Sequence, residues 1–256
     1  MSNAIDHFLL GNECRNKGLY DEAVEEYTKA VEANPNLTEA HNNLGIVYKD
    51  KGMFREAIEE FNKALEINPN LSQAHDNVGI IYAKMGLYDE SIRAYKNAIV
   101  ANPDNPKAHN NLGIAFVAIG EYDKAVTEYQ KAIELDPNFV DAYHNLGIIY
   151  GILGRYEEST RELKKGIQTS PADAEIHYHL ALSYKNQGMV EEAIAQYEKA
   201  IQIEPNFIEA YYNLGILYKD IGENNKASKV WRKYLELIPP WDAQTMTFTG
   251  LHRDET

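Results

Sequence analysis

The sequence predicts an all-α protein built as a superhelix of stacked helix pairs. Glycine and proline each recur at a fixed interval of 34 residues, which indicates an internal repeat. Between them lie only segments whose apolar residues recur at steps of three and four, as in helices with one buried stripe. No segment shows the alternation of a half-buried strand. The glycines are Gly18, Gly52, Gly86, Gly120, Gly154, Gly188 and Gly222, and the prolines are Pro35, Pro69, Pro103, Pro137, Pro171, Pro205 and Pro239.

Each repeat is predicted to contain a helix A, a tight turn and a helix B. In the second repeat, helix A leads to Gly52, where a helix commonly ends on a left-handed residue. Helix B then leads to Pro69, which cannot continue the helix. An N-terminal extension (1–3) precedes the repeats, and a C-terminal tail (242–256) follows them. The seven repeats are predicted at 4–37, 38–71, 72–105, 106–139, 140–173, 174–207 and 208–241.

Fixed positions of the repeat also carry fixed residue types. In the second repeat these are Leu44 and Gly45 in helix A, Tyr48 one turn later, and Phe61 in helix B. Together with the closing proline, this pattern closely resembles the tetratricopeptide repeat family over residues 4–241. The resemblance implies a right-handed superhelix in which helix A lines the concave wall. One helix pair cannot bury its apolar face alone, so stacked neighbours are expected to build a continuous core.

Composition narrows the classes of partner. The net charge of −14 and the sequence pI of about 5.0 argue against nucleic acid, which requires clustered Lys and Arg, and favour a neutral or basic protein partner. No apolar run approaches the ~20 residues of a membrane span. The N-terminus lacks the features of a signal peptide, and one cysteine cannot form an internal disulfide. We therefore expect a cytoplasmic, non-enzymatic protein without a cofactor.

An asparagine row marks the face of helix A that the core does not use. Helical geometry turns positions 2, 5, 6, 9, 12 and 13 of the repeat toward the groove. A carboxamide both donates and accepts, so it can pair with a peptide backbone. The row resembles the asparagine ladder in the repeat superhelix of O-GlcNAc transferases, which holds peptide backbone, but this resemblance implies no transferase activity. The alternative is that these amides bridge neighbouring helices. The row comprises Asn43, Asn77, Asn111, Asn145 and Asn213.

Apolar side chains form a second stripe in the groove. In repeats four and five, small residues lie among isoleucines, which predicts a pocket for an apolar side chain. The alternative is that the isoleucines pack only against adjacent helices A. The residues of the stripe and pocket are Ile80, Ile114, Val117, Ala118, Ile148, Gly151 and Ile152.

Aromatic side chains follow farther along the groove, where they are suited to stacking on a partner side chain or a guanidinium group. They are His144, Tyr178, His179 and Tyr212. Two histidines can also bind a metal ion, but no carboxylate or cysteine completes a ligand set, so we predict no metal.

Two regions depart from the repeat pattern. Near the junction of repeats five and six, Gly166 replaces an alanine of helix B and Ile176 an alanine of helix A, which predicts a softer joint. At the C-terminal end, bulky Tyr234 fills a position that is small elsewhere, and the segment after Pro240 carries Trp241 and Phe248. These three residues are candidates for self-association.

Two functional hypotheses follow. The first is a protein–protein interaction module that holds an extended peptide through the asparagine row and the apolar pocket. The alternative is a structural scaffold that assembles into homo-oligomers through its uncapped ends and tail. An enzyme or metalloprotein is the least favoured hypothesis, because the repeats occupy nearly the whole chain.

Overall fold

The computed structural model describes residues 3–238, and these form fourteen α-helices without a strand. Each repeat supplies one A helix and one B helix, so the predicted all-α solenoid of seven helix–turn–helix repeats is confirmed. The helices are α1 (Ala4–Asn16), α2 (Tyr20–Ala33), α3 (Thr38–Asp50), α4 (Phe54–Ile67), α5 (Ser72–Lys84), α6 (Tyr88–Ala101), α7 (Pro106–Ala118), α8 (Tyr122–Leu135), α9 (Val140–Ile152), α10 (Tyr156–Thr169), α11 (Ala174–Asn186), α12 (Val190–Ile203), α13 (Ile208–Asp220) and α14 (Asn224–Leu237).

A left-handed glycine joins the two helices of every repeat, as predicted. Gly52 has φ +76°, and a Cβ added there would meet nothing within 4 Å. Backbone conformation, rather than lack of space, therefore requires glycine at this position. The N–H of Met53 donates to Tyr48 O at 2.8 Å and so satisfies a carbonyl at the end of α3.

A second glycine in each A helix serves a different purpose, since it lets the two helices of a repeat approach closely. A Cβ at Gly45 would lie 2.8 Å from Cε1 of Phe61, a side chain that is fully buried. Leu44 beside it is 2% exposed, and Ala57 of α4 is fully buried. The residue types that recur at fixed positions of the repeat therefore form its core.

Histidines at the fourth position of the repeat fasten helix A to its neighbours. Nδ1 of His41 lies 2.6 Å from a carboxylate oxygen of Glu60 on α4, and Nε2 lies 3.1 Å from Pro35 O in the preceding turn. The imidazole therefore links α3 to α4 and to the turn that precedes α3. Burial favours a higher pKa for Glu60, but hydrogen bonds from His41 and Lys63 outweigh burial and hold it below its usual value. His109 makes the equivalent contacts.

The chain divides into two compact units, Met1–Pro137 (unit 1) and Asn138–Thr256 (unit 2). Unit 1 contains α1 to α8, and the described part of unit 2 contains α9 to α14. Within each unit, every helix B packs against the helix A of its own repeat, and every helix B except the last of the unit also packs against the helix A of the next.

The junction of repeats five and six, inside unit 2, is closely packed. A Cβ at Gly166 would lie 3.3 Å from Cδ1 of Ile176, so the missing methyl group makes room for the larger side chain. Ile176 is fully buried. In the same two repeats, Nε2 of Gln187 donates to Thr160 Oγ1 at 2.7 Å, and that oxygen lies 2.9 Å from Ser183 Oγ. Glycine at 166 and isoleucine at 176 thus compensate each other in volume, and the softer joint stays a prediction.

Candidate functional site

The groove face is the side of the A helices that the repeat core does not use. In unit 2, α9 and α11 contact each other directly along this face. A cavity of about 300 Å³ opens between them and is closed below by α10; we call it the α9–α11 cavity. The lining residues that concern binding are Ile148, Gly151, Ile152, His179, Leu182 and Asn186.

The α9–α11 cavity exists because residue 151 has no side chain. A Cβ at Gly151 would meet only Ser159 Oγ, at 3.8 Å, which is ordinary contact. Gly147, one turn earlier, contrasts with it, because a Cβ there would lie 2.4 Å from Leu163 Cγ. Packing therefore requires glycine at 147, whereas at 151 glycine leaves open space that faces the groove.

The structure brings together only part of the predicted pocket. Ile148, Gly151 and Ile152 line the α9–α11 cavity, and their partners there come from repeat six, notably Leu182 and Asn186. Leu182 and Asn186 both lie at repeat positions that helical geometry turns toward the groove. That geometry identifies them, although the pattern of small residues among isoleucines did not. The remaining members of the prediction lie in unit 1, where Ile114 and Ala118 are exposed and Ile80 and Val117 are half-buried.

Two neutral histidines contact each other near the α9–α11 cavity, and one of them, His179, lines it. His144 Nε2 and His179 Nδ1 are 2.9 Å apart, and His179 Nδ1 is also 2.9 Å from Glu175 O. Since both partners of His179 Nδ1 can accept, the proton resides on that nitrogen and leaves His179 Nε2 as an acceptor. Burial lowers the pKa of His144, and burial followed by the nearby His144 lowers the pKa of His179 to about 4. Both rings are therefore uncharged at neutral pH.

The aromatic residues differ in their availability to a partner. Tyr178 packs edge-on against His179 with ring centroids 5.2 Å apart, and its hydroxyl accepts a hydrogen bond from Asn213. Tyr212 is 40% exposed, with its ring 5.4 Å from that of Tyr234. Tyr212 therefore presents the more accessible ring. Within residues 3–238, no group of three or more His, Cys, Asp or Glu side chains is placed to hold a metal ion.

The asparagine row bridges neighbouring A helices. Asn43 donates to Asn12 Oδ1 at 2.8 Å, Asn111 donates to Asp76 Oδ1 at 3.3 Å, and Asn213 donates to a hydroxyl of α11 at 3.1 Å. The bridging alternative thus describes these three amides in the free chain. A carboxamide has two donors and two acceptor lone pairs, so each amide retains capacity for a further hydrogen bond.

Two members of the row differ from these three. Asn77 is only 7% exposed, its oxygen accepts from Lys49 Nζ at 2.6 Å, and its nitrogen donates to Gln73 O at 2.9 Å. A peptide would have to displace Lys49 to reach it. Asn145 is half-buried on α9.

Of the predicted self-association residues, one lies within the described part of the chain. Tyr234 is 5% exposed and packs against Tyr212. The Tyr234 ring is thus covered by its own repeat, and its role in self-association stays a prediction. Trp241 and Phe248 lie outside the described residues.

Sequence models of one repeat family match most of the chain. Models described as "TPR repeat" match residues 11–52, 81–120, 115–154, 152–188 and 186–222, and models described as "Tetratricopeptide repeat" match 38–71 and 208–240. No curated protein sequence matches the chain. No helix within residues 3–238 has the length and apolarity needed to cross a bilayer.

Many solved structures share the fold. YrrB, described as "a TPR protein with an unusual peptide-binding site", is 24% identical over 74% of this chain and 98% of its own, with a TM-score of 0.63. MamA 41-end from Desulfovibrio magneticus RS-1 is 25% identical over 65% of this chain and 94% of its own, with a TM-score of 0.61. A tetratricopeptide repeat protein from Parabacteroides merdae ATCC 43184 is 21% identical over 94% and 95%, with a TM-score of 0.69.

Proposed function

Because the chain belongs to the tetratricopeptide repeat family and is a protein–protein interaction module, we propose that it binds an extended peptide segment on its groove face. One apolar side chain of the peptide inserts into the α9–α11 cavity. The observation that carries this proposal is the open space at Gly151. A cavity of about 300 Å³ lies at the small end of ligand pockets, which suits one side chain rather than a whole ligand.

The apolar lining supplies binding energy. Ile148, Ile152 and Leu182 surround the cavity, and Ile152 is 56% exposed in the free chain. Full burial of a Leu, Ile or Phe side chain is worth about 1.5–3 kcal/mol. Because about 1.4 kcal/mol corresponds to a tenfold change in affinity, an inserted side chain strengthens binding by roughly 10- to 150-fold.

Polar groups beside the cavity favour the N–H groups of an extended backbone. His179 Nε2 is an acceptor. Asn213 donates through its nitrogen to the Tyr178 hydroxyl and to Glu209 O, and its amide oxygen can accept a further hydrogen bond. The chain's net charge of −14 also favours a neutral or basic segment. The proposed ligand is thus an extended, uncharged or basic peptide with one apolar anchor.

Selection from a library of random peptides tests the proposal. Peptides retained by the wild type are measured against Gly151→Leu, which fills the cavity, and against Ala33→Leu, which adds the same side chain to an exposed position at the end of α2. We expect at least tenfold weaker binding to Gly151→Leu and unchanged binding to Ala33→Leu. Equal affinity of the selected peptides for all three proteins would exclude the cavity as the anchor site.

A second candidate function, self-assembly, is favoured by the exposed apolar face of α1. Ile5, Leu9 and Leu10 are 48%, 58% and 45% exposed. In the second repeat the equivalent Leu44 is only 2% exposed, because it packs in one cluster with Ala23 and Tyr27 of α2, the helix before it. A second copy of the chain could cover this face of α1.

Sedimentation velocity over a wide range of protein concentration separates the two functions. Self-assembly predicts a larger species at high concentration that disappears in Leu9→Asp. A monomer at every concentration would eliminate the scaffold function and leave peptide binding unaffected.

A further inference from the structure

The B helix of repeat seven carries more cations than carboxylates, whereas the chain as a whole is acidic. Helix α14 (Asn224–Leu237) carries four cations and a single carboxylate, Glu236. None of the other six B helices carries more cations than carboxylates, and α2 carries five carboxylates with one lysine. In a protein of net charge −14, this excess of cations is found in only one of the seven B helices. The cations of α14 are Lys226, Lys229, Arg232 and Lys233.

These cations line a groove between α12, α13 and α14 with a volume of about 880 Å³; we call it the α12–α14 groove. Its apolar surface comes from Ile201, Leu214 and Val230, one residue from each helix. The groove therefore combines an apolar floor with a cationic wall. It is formed by the B helix of repeat six and both helices of repeat seven, and it is distinct from the α9–α11 cavity.

The carboxylates of the groove are already engaged, whereas two cations are not. Glu198 accepts a hydrogen bond from the Tyr218 hydroxyl at 2.9 Å, and Glu236 pairs with Lys233 at 3.1 Å. Lys229 and Arg232 are exposed and make no ion pair with any residue in 3–238. The uncompensated charge at the groove is thus positive.

The equivalent cavity of repeats one and two carries a different balance of charge. That cavity, of about 740 Å³ between α2, α3 and α4, is lined by two carboxylates, Glu32 and Glu66, by one cation, Lys63, and by His41, which holds Glu60. In repeat seven, Tyr211 stands in place of the histidine and Val230 in place of its glutamate partner. An acidic contact is thereby replaced by apolar surface.

We propose that the α12–α14 groove docks an acidic segment of a partner protein that carries at least one apolar residue. The carboxylates of the segment pair with Lys229 and Arg232, and its apolar residue contacts Val230 and Leu214. Charge complementarity identifies the occupant, because the wall is cationic while the surrounding protein repels acidic chains. The apolar floor favours a peptide over a nucleic acid, whose phosphate backbone offers nothing to bury there.

The test is selection of random 12-residue peptides on the wild type and on two charge-reversed variants. Lys229→Glu/Arg232→Glu alters the groove, whereas Arg55→Glu/Lys107→Glu makes the same charge change at exposed positions on α4 and α7. Circular dichroism verifies that all three proteins are folded. We expect the wild type and the control to retain peptides rich in Asp and Glu beside Leu, Ile or Phe. These peptides should bind the groove variant at least tenfold more weakly, and added salt should weaken their binding to the wild type.

Two outcomes would overturn the proposal. One is a retained pool that is the same for all three proteins. The other is binding of an oligothymidylate or of phosphatidylserine vesicles that depends on Lys229 and Arg232 while peptide binding does not, since the site would then be a general polyanion site. Peptides that bind the α9–α11 cavity should lose affinity for Gly151→Leu and keep their affinity for Lys229→Glu/Arg232→Glu. The two proposals can therefore be refuted separately.

Discussion

Two glycines on α9, four residues apart, are expected to respond oppositely to substitution by alanine. At Gly147 the added Cβ would lie 2.4 Å from Leu163 Cγ and 2.6 Å from its Cδ2, in a region that is fully buried. At Gly151 the nearest atom would be Ser159 Oγ at 3.8 Å. Gly147→Ala therefore overpacks the core, whereas Gly151→Ala adds a methyl group to open space.

The expected magnitudes separate the two variants clearly. Overpacking a well-packed core costs about 1–3 kcal/mol. Replacing glycine by alanine within a helix stabilises it by roughly 0.5–1 kcal/mol, and both variants share this gain. The difference between them is therefore the overpacking cost alone, about 1–3 kcal/mol. Gly151→Ala should be at least as stable as the wild type.

Urea denaturation followed by circular dichroism measures this difference. We expect the urea midpoint of Gly147→Ala to fall below that of Gly151→Ala. The dependence of the unfolding free energy on urea concentration should change little, because the substitution alters the stability of the folded state rather than the unfolded state. Equal midpoints for the two variants, or a loss of stability in Gly151→Ala alone, would refute the geometry assigned to the α9–α11 cavity.

Three further predictions concern pH and backbone conformation. The pKa of His179 is lowered to about 4 in the folded protein, so as pH falls the unfolded chain binds a proton at this residue before the folded chain does. The wild type should therefore lose stability as pH falls from about 6.5 toward 4. In His179→Asn, the urea midpoint should decline less over the same pH range. The depressed pKa of Glu60 acts in the same direction but in a lower pH window, because its stabilisation is present above the unfolded value and is lost as pH falls below about 4. Glu60→Gln should therefore cost about 1–3 kcal/mol at pH 7, and titration of the urea midpoint should show this difference narrowing below about pH 4. Gly52→Ala should cost about 1–2 kcal/mol through its left-handed φ of +76° alone, and a thermal midpoint equal to that of the wild type would contradict this.

The repeat architecture could be predicted from the sequence because its determinants are local. A left-handed residue such as Gly52 and a helix-ending residue such as Pro69 impose their conformations whatever surrounds them. The close approach at Gly45 is nearly as local, since Phe61 lies in the same repeat. Residue type and spacing therefore predict each helix pair and its core.

The groove was less predictable because its details depend on residues about one repeat apart. Asn43 and Asn111 find acceptors in the preceding A helix, and which side chain stands there follows no repeat rule. The partners of Gly151 come from repeat six, because the open space depends on how α9 and α11 are spaced. Charge alone likewise marks α14 as unusual, but only the structure shows the groove beside it.

The measurement that tests the central claim most directly is NMR of isoleucine methyl groups during titration with a peptide selected on the wild type. Ile148 and Ile152 line the α9–α11 cavity, whereas Ile67 at the end of α4 lies in unit 1 and serves as a reference. Insertion of an apolar side chain predicts shifts at Ile148 and Ile152 that saturate with peptide, together with an unchanged Ile67. Binding that leaves Ile148 and Ile152 unshifted would contradict the account.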